Sequence, residues 1–385
     1  MSDTENVRSA GSPWSRTTWW LLGVLVVVSV VAVARLVTSR PPDPLHGDSD
    51  DATGALEQVL ARTPAAARKP LLLKYVQDSS PGLRYAAVDA LGSESGPDAA
   101  AAIEHAFLDS SSMVRQRAME VLPNVDRDAG LRMLLAGLRD DDRWVRESAA
   151  TQLRMQAGRP HSFVDRRAVP SLIRALDDPS NVVVVMSVAT LRKVTGQDWP
   201  LKSRVPEAER QAVLARWRQW WQQTRARWAI PAAFADVPPV YPTRTDPAPD
   251  IPLQTIDGAR IDVRGKPGAV TLLNFWGTWC PTCQQEVPGL VRLDREYRAR
   301  GVRVVGIAVA EDGGADGLRK WCRAHGVTYP QVLATQDVQS AYGHIQEVPV
   351  SVLIDRQGRI RYRWDGDRDY ATFRAAVDRL LAEKS

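Results

Sequence analysis

A chain of 385 residues has room for two or three domains, and 44% hydrophobic with 25% charged residues is the make-up of a folded globular protein, which excludes wholesale disorder, collagen and a bundle of membrane spans. Fifty Lys plus Arg against forty-five Asp plus Glu leave a formal charge of +5, and with seven Lys in all the excess is an arginine preference and not a nucleic-acid-binding patch. Three cysteines exclude a disulfide framework, but Cys280 and Cys283 form a C-x-x-C, which points to redox or metal chemistry.

In chain order, residues 1–18 read as a cytoplasmic tail and Trp19 to Val37 as an apolar run whose sole charge is Arg35, which predicts a transmembrane signal anchor at 19–38. Cleavage near Ala34, after Ala32-Val33-Ala34, is the alternative and would release a secreted protein. Residues 39–53, rich in Pro, Gly and Asp, read as a stalk. The Lys/Arg count on the two sides of the span does not set its orientation.

From 54 to 230 the sequence repeats itself. Asp78, Arg84, Ala87 and Leu91 recur as Asp109, Arg115, Ala118 and Leu122 and again as Asp140, Arg146, Ala149 and Leu153, with offsets of 6, 3 and 4 and a period of 31. A degenerate fourth copy, Asp178, Val184, Ser187 and Leu191, follows 38 residues on. Each unit predicts two helices joined by a polar turn, neither able to bury its face alone, so that stacking makes a solenoid. The pattern resembles short HEAT-like repeats such as those of bilin lyases, which implies a binding or scaffolding surface. Pro206 to Trp228 predicts a further helix, with Pro206 at its first position and Trp217, Trp220, Trp221 and Trp228 on one face, capping the array; a helix lying on a membrane surface is the alternative. Seven prolines between Ala229 and Pro252 predict a semi-rigid linker, assigned to 231–247.

From 248 to 385 the period changes. Strands are expected at Ala269–Phe275, Val302–Val309, Val350–Asp355 and Arg359–Trp364, and helices at Cys280–Ala299, Asp316–His325 and Asp369–Ala382, an α/β order. The whole chain is thus expected to be multidomain: an N-terminal transmembrane helix, an all-α HEAT-like solenoid and a C-terminal α/β domain. Cys280 falls where a helix begins, Pro281 fits its first turn, and Cys283 lies one turn on, so both sulfurs share a face. A thiolate at Cys280 gains from the helix N-terminus, which lowers such thiol pKa values to ~3.5–7.5, making Cys280 the attacking and Cys283 the resolving thiol. Structural zinc wants four ligands, and beyond the pair there are only Cys322 and five scattered histidines. Cys322, alone in its helix, reads as an inert buried thiol.

The segments APDIPLQTIDG, LLNFWGTWCPTCQQEVP, VVGIAV and VPVSVLIDRQG, spread over about Ala248 to Ser385, resemble the thioredoxin fold and specifically the TlpA/ResA-like membrane-anchored thiol-disulfide oxidoreductases. The resemblance implies Cys280 as nucleophile, Cys283 as resolving thiol, Pro349 as a cis-proline and Glu286 as the carboxylate beside the dithiol, with Trp279, Pro281, Val348 and Pro349 at the substrate surface. Three residues after Cys283, Glu286 can share its helical face; a solvated first-turn acid is the plain alternative. Where ordinary thioredoxins carry a buried Asp this chain has Asn274, and Val350 stands where the family commonly has Thr. The implied function is a thiol-disulfide oxidoreductase, with no cofactor beyond its dithiol and no metal, reducing disulfides of exported proteins, cytochrome c maturation among them. It would be single-pass in the cell membrane with its bulk extracytoplasmic, served by a membrane electron-donor protein, and its array would dock a protein partner. A scaffold whose redoxin is a docking module is the alternative. A thiol peroxidase would need a lone peroxidatic Cys, against the dithiol present here.

Overall fold

The computed structural model describes residues 49–262, 269–343 and 345–383. Eleven helices form its first part: α1 (Ser49–Arg62), α2 (Ala65–Tyr75), α3 (Pro81–Leu91), α4 (Pro97–Ala106), α5 (Ser112–Val125), α6 (Arg127–Gly137), α7 (Arg143–Gln156), α8 (Val169–Arg174), α9 (Asn181–Thr195), α10 (Glu207–Thr224) and α11 (Ala232–Ala235). Short polar side chains start them. Ser80 Oγ accepts from the Leu83 amide, Asp126 from Ala129, Asp142 from Trp144 and Val145, and Ser180 from Val182, each satisfying amides that the first turn leaves without a helical partner. Gly196, at φ +74°, ends α9 in the left-handed conformation that a side chain would strain.

The recurrent columns have distinct jobs. Ala87, Ala118 and Ala149, and Leu91, Leu122 and Leu153, are fully buried where helices pack. The arginines and aspartates form a ladder. Arg84 reaches both carboxylate oxygens of Asp109 at 2.6 and 2.7 Å, and its remaining nitrogen donates to the carbonyls of Asp78 and Ser79. Arg115 repeats this on Asp140 at 3.0 Å and on the carbonyls of Asp109 and Ser110. Arg146 binds Asp178 at 2.7 Å and the carbonyls of Asp140 and Asp141. Each arginine therefore ties its own turn to the aspartate of the next unit, and each of those aspartates also accepts the amide two residues on. Val184 stands in the arginine column of the last unit, where the ladder ends.

Trp217 is buried against Trp199 and Trp220, ring centroids 4.9 and 5.7 Å away in edge-on arrangements, so α10 closes the array core. Pro206 is its N-cap and not its first helical residue. The Pro-rich stretch lies against the array: Phe234 and Val237 are buried in the array core, and Arg139 and Arg174 donate to the carbonyls of Val237 and Ala235.

The second part contains β1 (Asp246–Pro247), β2 (Leu253–Gln254), β3 (Arg260–Ile261), β4 (Val270–Trp276), α12 (Pro281–Tyr297), β5 (Val302–Ala308), α13 (Gly314–Ala324), β6 (Gln331–Leu333), α14 (Gln336–Ala341), β7 (Val350–Ile354), β8 (Arg359–Asp365) and α15 (Tyr370–Ala382). Its sheet runs β1-β8-β7-β4-β5-β6, with β4, β5 and β6 mutually parallel and β7 antiparallel to β4 and β8; β2 and β3 make a separate hairpin. One face carries Leu273, Phe275, Val305, Ile307 and Val352; the other packs Leu272, Val304 and Leu353 against Leu290, Leu293, Phe373 and Val377 of α12 and α15. β4 is buried at all seven positions, as a central strand covered on both faces must be.

The two parts touch through polar groups. Beyond the two residues paired with β1, the edge of β8 meets the turn before α5 in a single bridge between Ser111 and Arg363, where the Arg363 amide donates to the Ser110 carbonyl at 2.9 Å. The Tyr362 hydroxyl donates to Asp141 at 3.0 Å, and Arg244 binds the carbonyls of Gln77 and Asp78.

The expected transmembrane helix is corrected. Among the described residues no helix is long and apolar enough to cross a membrane; α10, the longest of them at 18 residues, carries Glu207, Glu209, Arg210, Arg216 and Arg218. The segment 19–38, with the tail 1–18 and the stalk up to residue 48, lies outside the described residues. The fold class is accordingly a HEAT-like helical array followed by a thioredoxin-like α/β domain. The single-pass extracytoplasmic localisation rested on that segment and no described helix supports it; the cleavage position near Ala34 likewise lies outside the described residues.

Candidate active site

β4 runs buried to Trp276 and delivers the chain to the start of α12, where Cys280 is the N-cap and Pro281 the first helical residue. Cys280 and Cys283 are joined as a disulfide, both buried, with Cα atoms 5.3 Å apart. The Cys283 amide donates to Cys280 Sγ at 3.1 Å, and the Thr282 hydroxyl lies 3.3 Å from the same sulfur. When the disulfide opens, these donors and the helix N-terminus favour negative charge on Cys280. The Val348–Pro349 peptide is cis, and the Val348 carbonyl oxygen lies 3.6 Å from Cys280 Sγ, so the start of β7 faces the attacking sulfur. Trp279, 54% exposed, stands beside it with its indole N–H on the Val309 carbonyl; Thr278 is fixed through both its amide and hydroxyl by Glu311.

Glu286 is not a solvated acid. It is buried one turn beyond Cys283 on the same face of α12, and its carboxyl accepts from the Arg368 amide at 2.5 Å and from the Asn274 side chain at 3.1 Å. Asn274 spends its other N–H on Ser351 of β7 at 3.0 Å. Burial dominates, and pushes the Glu286 carboxyl up to about 8 although the Arg368 and Asn274 donors pull the other way. A carboxyl raised to about 8 and one helical turn from a resolving thiol is of the kind that can exchange a proton with it.

Cys322 is buried in the cluster formed by Trp276, Cys280, Cys283 and Leu318, and desolvation raises its thiol to about 11, which keeps it protonated. Among the described residues no three His, Cys, Asp or Glu side chains are grouped to hold a metal ion.

All the residues drawn from the sequence, Cys280, Cys283, Glu286, Trp279, Pro281, Val348 and Pro349, belong to α12, the turn before it or the entry to β7. Two groups around the site carried no sequence signal. Glu311 follows the strand β5 as an ordinary loop acid, and Arg368 stands in the charged turn between β8 and α15. Arg368 is itself buried: its Nε donates to Asp142 at 2.6 Å and its Nη2 to the Ser112 hydroxyl at 3.0 Å, both on the helical array. The same turn is held at Asp367, whose carbonyl accepts from the Trp144 indole at 2.9 Å, and at Gly366, whose amide donates to the Pro349 carbonyl at 2.9 Å.

A C-x-x-C disulfide at the N-terminus of a helix that leaves a central parallel strand, opposite a cis-proline, defines a thioredoxin-like domain of the thiol-disulfide oxidoreductase class. The profile of the AhpC/TSA family matches residues 245–363, and that of HEAT repeats matches residues 45–123. Thiol-disulfide oxidoreductase ResA of Geobacillus thermodenitrificans (strain NG80-2) is 34% identical over 115 residues, 30% of this chain and 64% of that protein. ResA of Bacillus subtilis (strain 168) is 32% identical over 114 residues, 29% of this chain and 62% of its own length. The chain thus spans a little under two thirds of these relatives. Among solved structures, a thiol:disulfide interchange protein of the thioredoxin family from Chlorobium tepidum TLS is 31% identical and is matched over 36% of this chain and 99% of its own, with a TM-score of 0.34.

Proposed function

We propose that the protein is a reductase of protein disulfides. The observation that carries this reading is the buried Glu286 carboxyl on the same helical face as Cys283, with Cys280 capping the helix. In the reduced protein the Cys280 thiolate attacks one sulfur of a client disulfide, forming a mixed disulfide and releasing the other client sulfur as a thiolate. Cys283 then gives its proton to Glu286 and attacks Cys280 Sγ, which frees the second client thiolate and closes the Cys280–Cys283 disulfide. Two electrons pass from the dithiol to the client, and a protein dithiol donor returns them. Exported proteins are the client class, oxidised C-x-x-C segments of apocytochrome c among them, a reading that rests on the resemblance of the quoted motifs to the TlpA/ResA-like oxidoreductases. A protein partner of the repeat array belongs to the same proposal, on faces that the redoxin domain leaves open.

The test is capture. Reduced Cys283→Ser should accumulate a mixed disulfide with an oxidised C-x-x-C peptide, because the attacking thiol remains and the resolving one is gone. A reduction potential nearer the ~−270 mV of thioredoxin than the ~−120 mV of a strong oxidant should accompany it. No mixed disulfide would remove Cys280 as the nucleophile, and an oxidising potential would reverse the direction of electron flow.

A further inference from the structure

Glu286 receives the amide of Arg368, and the guanidinium of that same residue is anchored on the helical array. Asp142 and Arg368 are 0% and 4% exposed, so this is a buried, directional link and not a surface ion pair. Asp142 is also the N-cap of α7, fixed by the Trp144 and Val145 amides at 2.7 and 3.2 Å, and its own amide is held by Asp140, a member of the inter-repeat ladder. Four contacts thus grip the turn from Asp365 to Asp369. Three come from array side chains (Asp142, Ser112 and Trp144) and one from the carbonyl of the cis-proline. The turn in turn presents one amide to the carboxyl beside the resolving cysteine.

We propose that Asp142 and Arg368 are positioning residues, through which the repeat array holds the Arg368 amide on Glu286 and thereby sets that carboxyl for proton exchange with Cys283. The proposal rests on the reading of Glu286 as the proton acceptor of the dithiol. The array is then a structural part of the redox site, whatever else it binds. The charged and titratable groups that act on Glu286 are Arg368 and Asp367 from the turn and Tyr329 from the loop before β6, with Asn274 as the neutral donor from β4; Cys283 lies one turn away on its own helix. Of these, Arg368 is the one whose side chain is tied to the array, and Asp367 is held there through its carbonyl. The amide and the charge of Arg368 both favour the ionised carboxylate, so loosening this residue must move the Glu286 titration upward, in the direction burial already drives it.

Asp142→Asn in the full chain keeps a capping oxygen for α7, since Asn caps as well as Asp, and removes the ion pair. Arg368→Lys keeps the amide and the charge and removes the two-pronged grip. The readouts are the Glu286 carboxyl titration, followed by carbon NMR on Glu-labelled reduced protein, and the pH profile of mixed-disulfide resolution. Arg368→Lys should raise the carboxyl midpoint by about one pH unit, which lowers the ionised fraction at pH 7 about tenfold, and Asp142→Asn should raise it by less, because the Arg368 cation left without its partner also attracts the carboxylate. Arg244→Gln, which loosens the contact between array and redoxin elsewhere, should leave the midpoint where it is. A midpoint unmoved in both folded variants overturns the positioning role, as does an equal rise in Arg244→Gln. The two readings separate cleanly: a moved carboxyl titration with an unchanged resolution profile would keep the positioning and discard Glu286 as the proton acceptor.

Discussion

Burial holds the Glu286 carboxyl up at about 8 against the pull of the Arg368 and Asn274 donors, and this fixes the sign of what pH should do. With its pKa raised to about 8, the group is protonated below that pH and ionised above it. As acceptor of the Cys283 proton it works ionised, so resolution by the wild-type protein should accelerate as pH rises through about 8. Glu286→Gln should lose that step and leave the slower limb, by about 10- to 100-fold at pH 9, as stopped-flow mixing with an oxidised peptide would show. Stability has the opposite sign. A carboxyl whose folded pKa lies above its unfolded value of about 4.3 gives stability that is present at low pH and is lost as pH rises from about 4 through about 8. The Gln variant should therefore melt higher than wild type at pH 9 and show no such gain at pH 4; equal melting curves at pH 9 would mean that the burial cost is not there. Asn274 fits the same logic, because an amide beside a buried carboxyl donates a hydrogen bond without adding a second acid.

Within the array the element that needs explaining is the ladder, since a buried charge is stable only when it is fully paired. Arg115 and Asp140 are 1% and 2% exposed, and every remaining polar contact of the guanidinium goes to backbone carbonyls of its own turn. Arg115→Met should cost about 3–5 kcal/mol, because it strands Asp140 in the core, whereas Lys69→Met, which breaks a half-exposed pair with Asp98, should cost under about 1 kcal/mol. Urea unfolding of the two variants checks this, and a small Arg115 effect would mean that water reaches Asp140. The columns of this ladder were legible in the sequence because the spacing of 6, 3 and 4 recurs; what each column does was not, because each Arg–Asp partner lies 25 or 32 residues away in the next unit. The dithiol helix and the central strands were legible for a like reason, each carrying a local pattern. Strand β6 was not: three residues are too few to show a period, and its place is set by pairing with β5. Arg368 and Asp142 were invisible as a pair, since a turn reading DGDRD and a helix N-cap each have a sufficient local explanation, and only the packed chain brings positions 226 residues apart into contact.

At the scale of the whole molecule, array and redoxin meet through hydrogen bonds and ion pairs, with separate apolar cores on either side. Such a junction is sensitive to charge where a core would not be. Asp141 lies in it, accepting the Tyr362 hydroxyl at 3.0 Å, 3.6 Å from Arg379, and next to Asp140. Burial, reinforced by the neighbouring Asp140 charge, raises Asp141 to about 7. The unfolded value is about 3.9, so the folded chain holds this proton more tightly, and the junction loses stability as pH climbs from about 4 to about 7. Asp141→Asn keeps an acceptor for Tyr362 and removes the ionisation. It should stabilise the protein at pH 8 by on the order of 1–2 kcal/mol, well under the full linkage of so large a shift because Arg379 loses its partner, and should be neutral or slightly destabilising at pH 4. Calorimetry of wild type and variant from pH 4 to 8 measures the difference directly. A gain that is the same at every pH would assign the effect to packing, and a loss at pH 8 would show that the Arg379 attraction outweighs the burial of the charge.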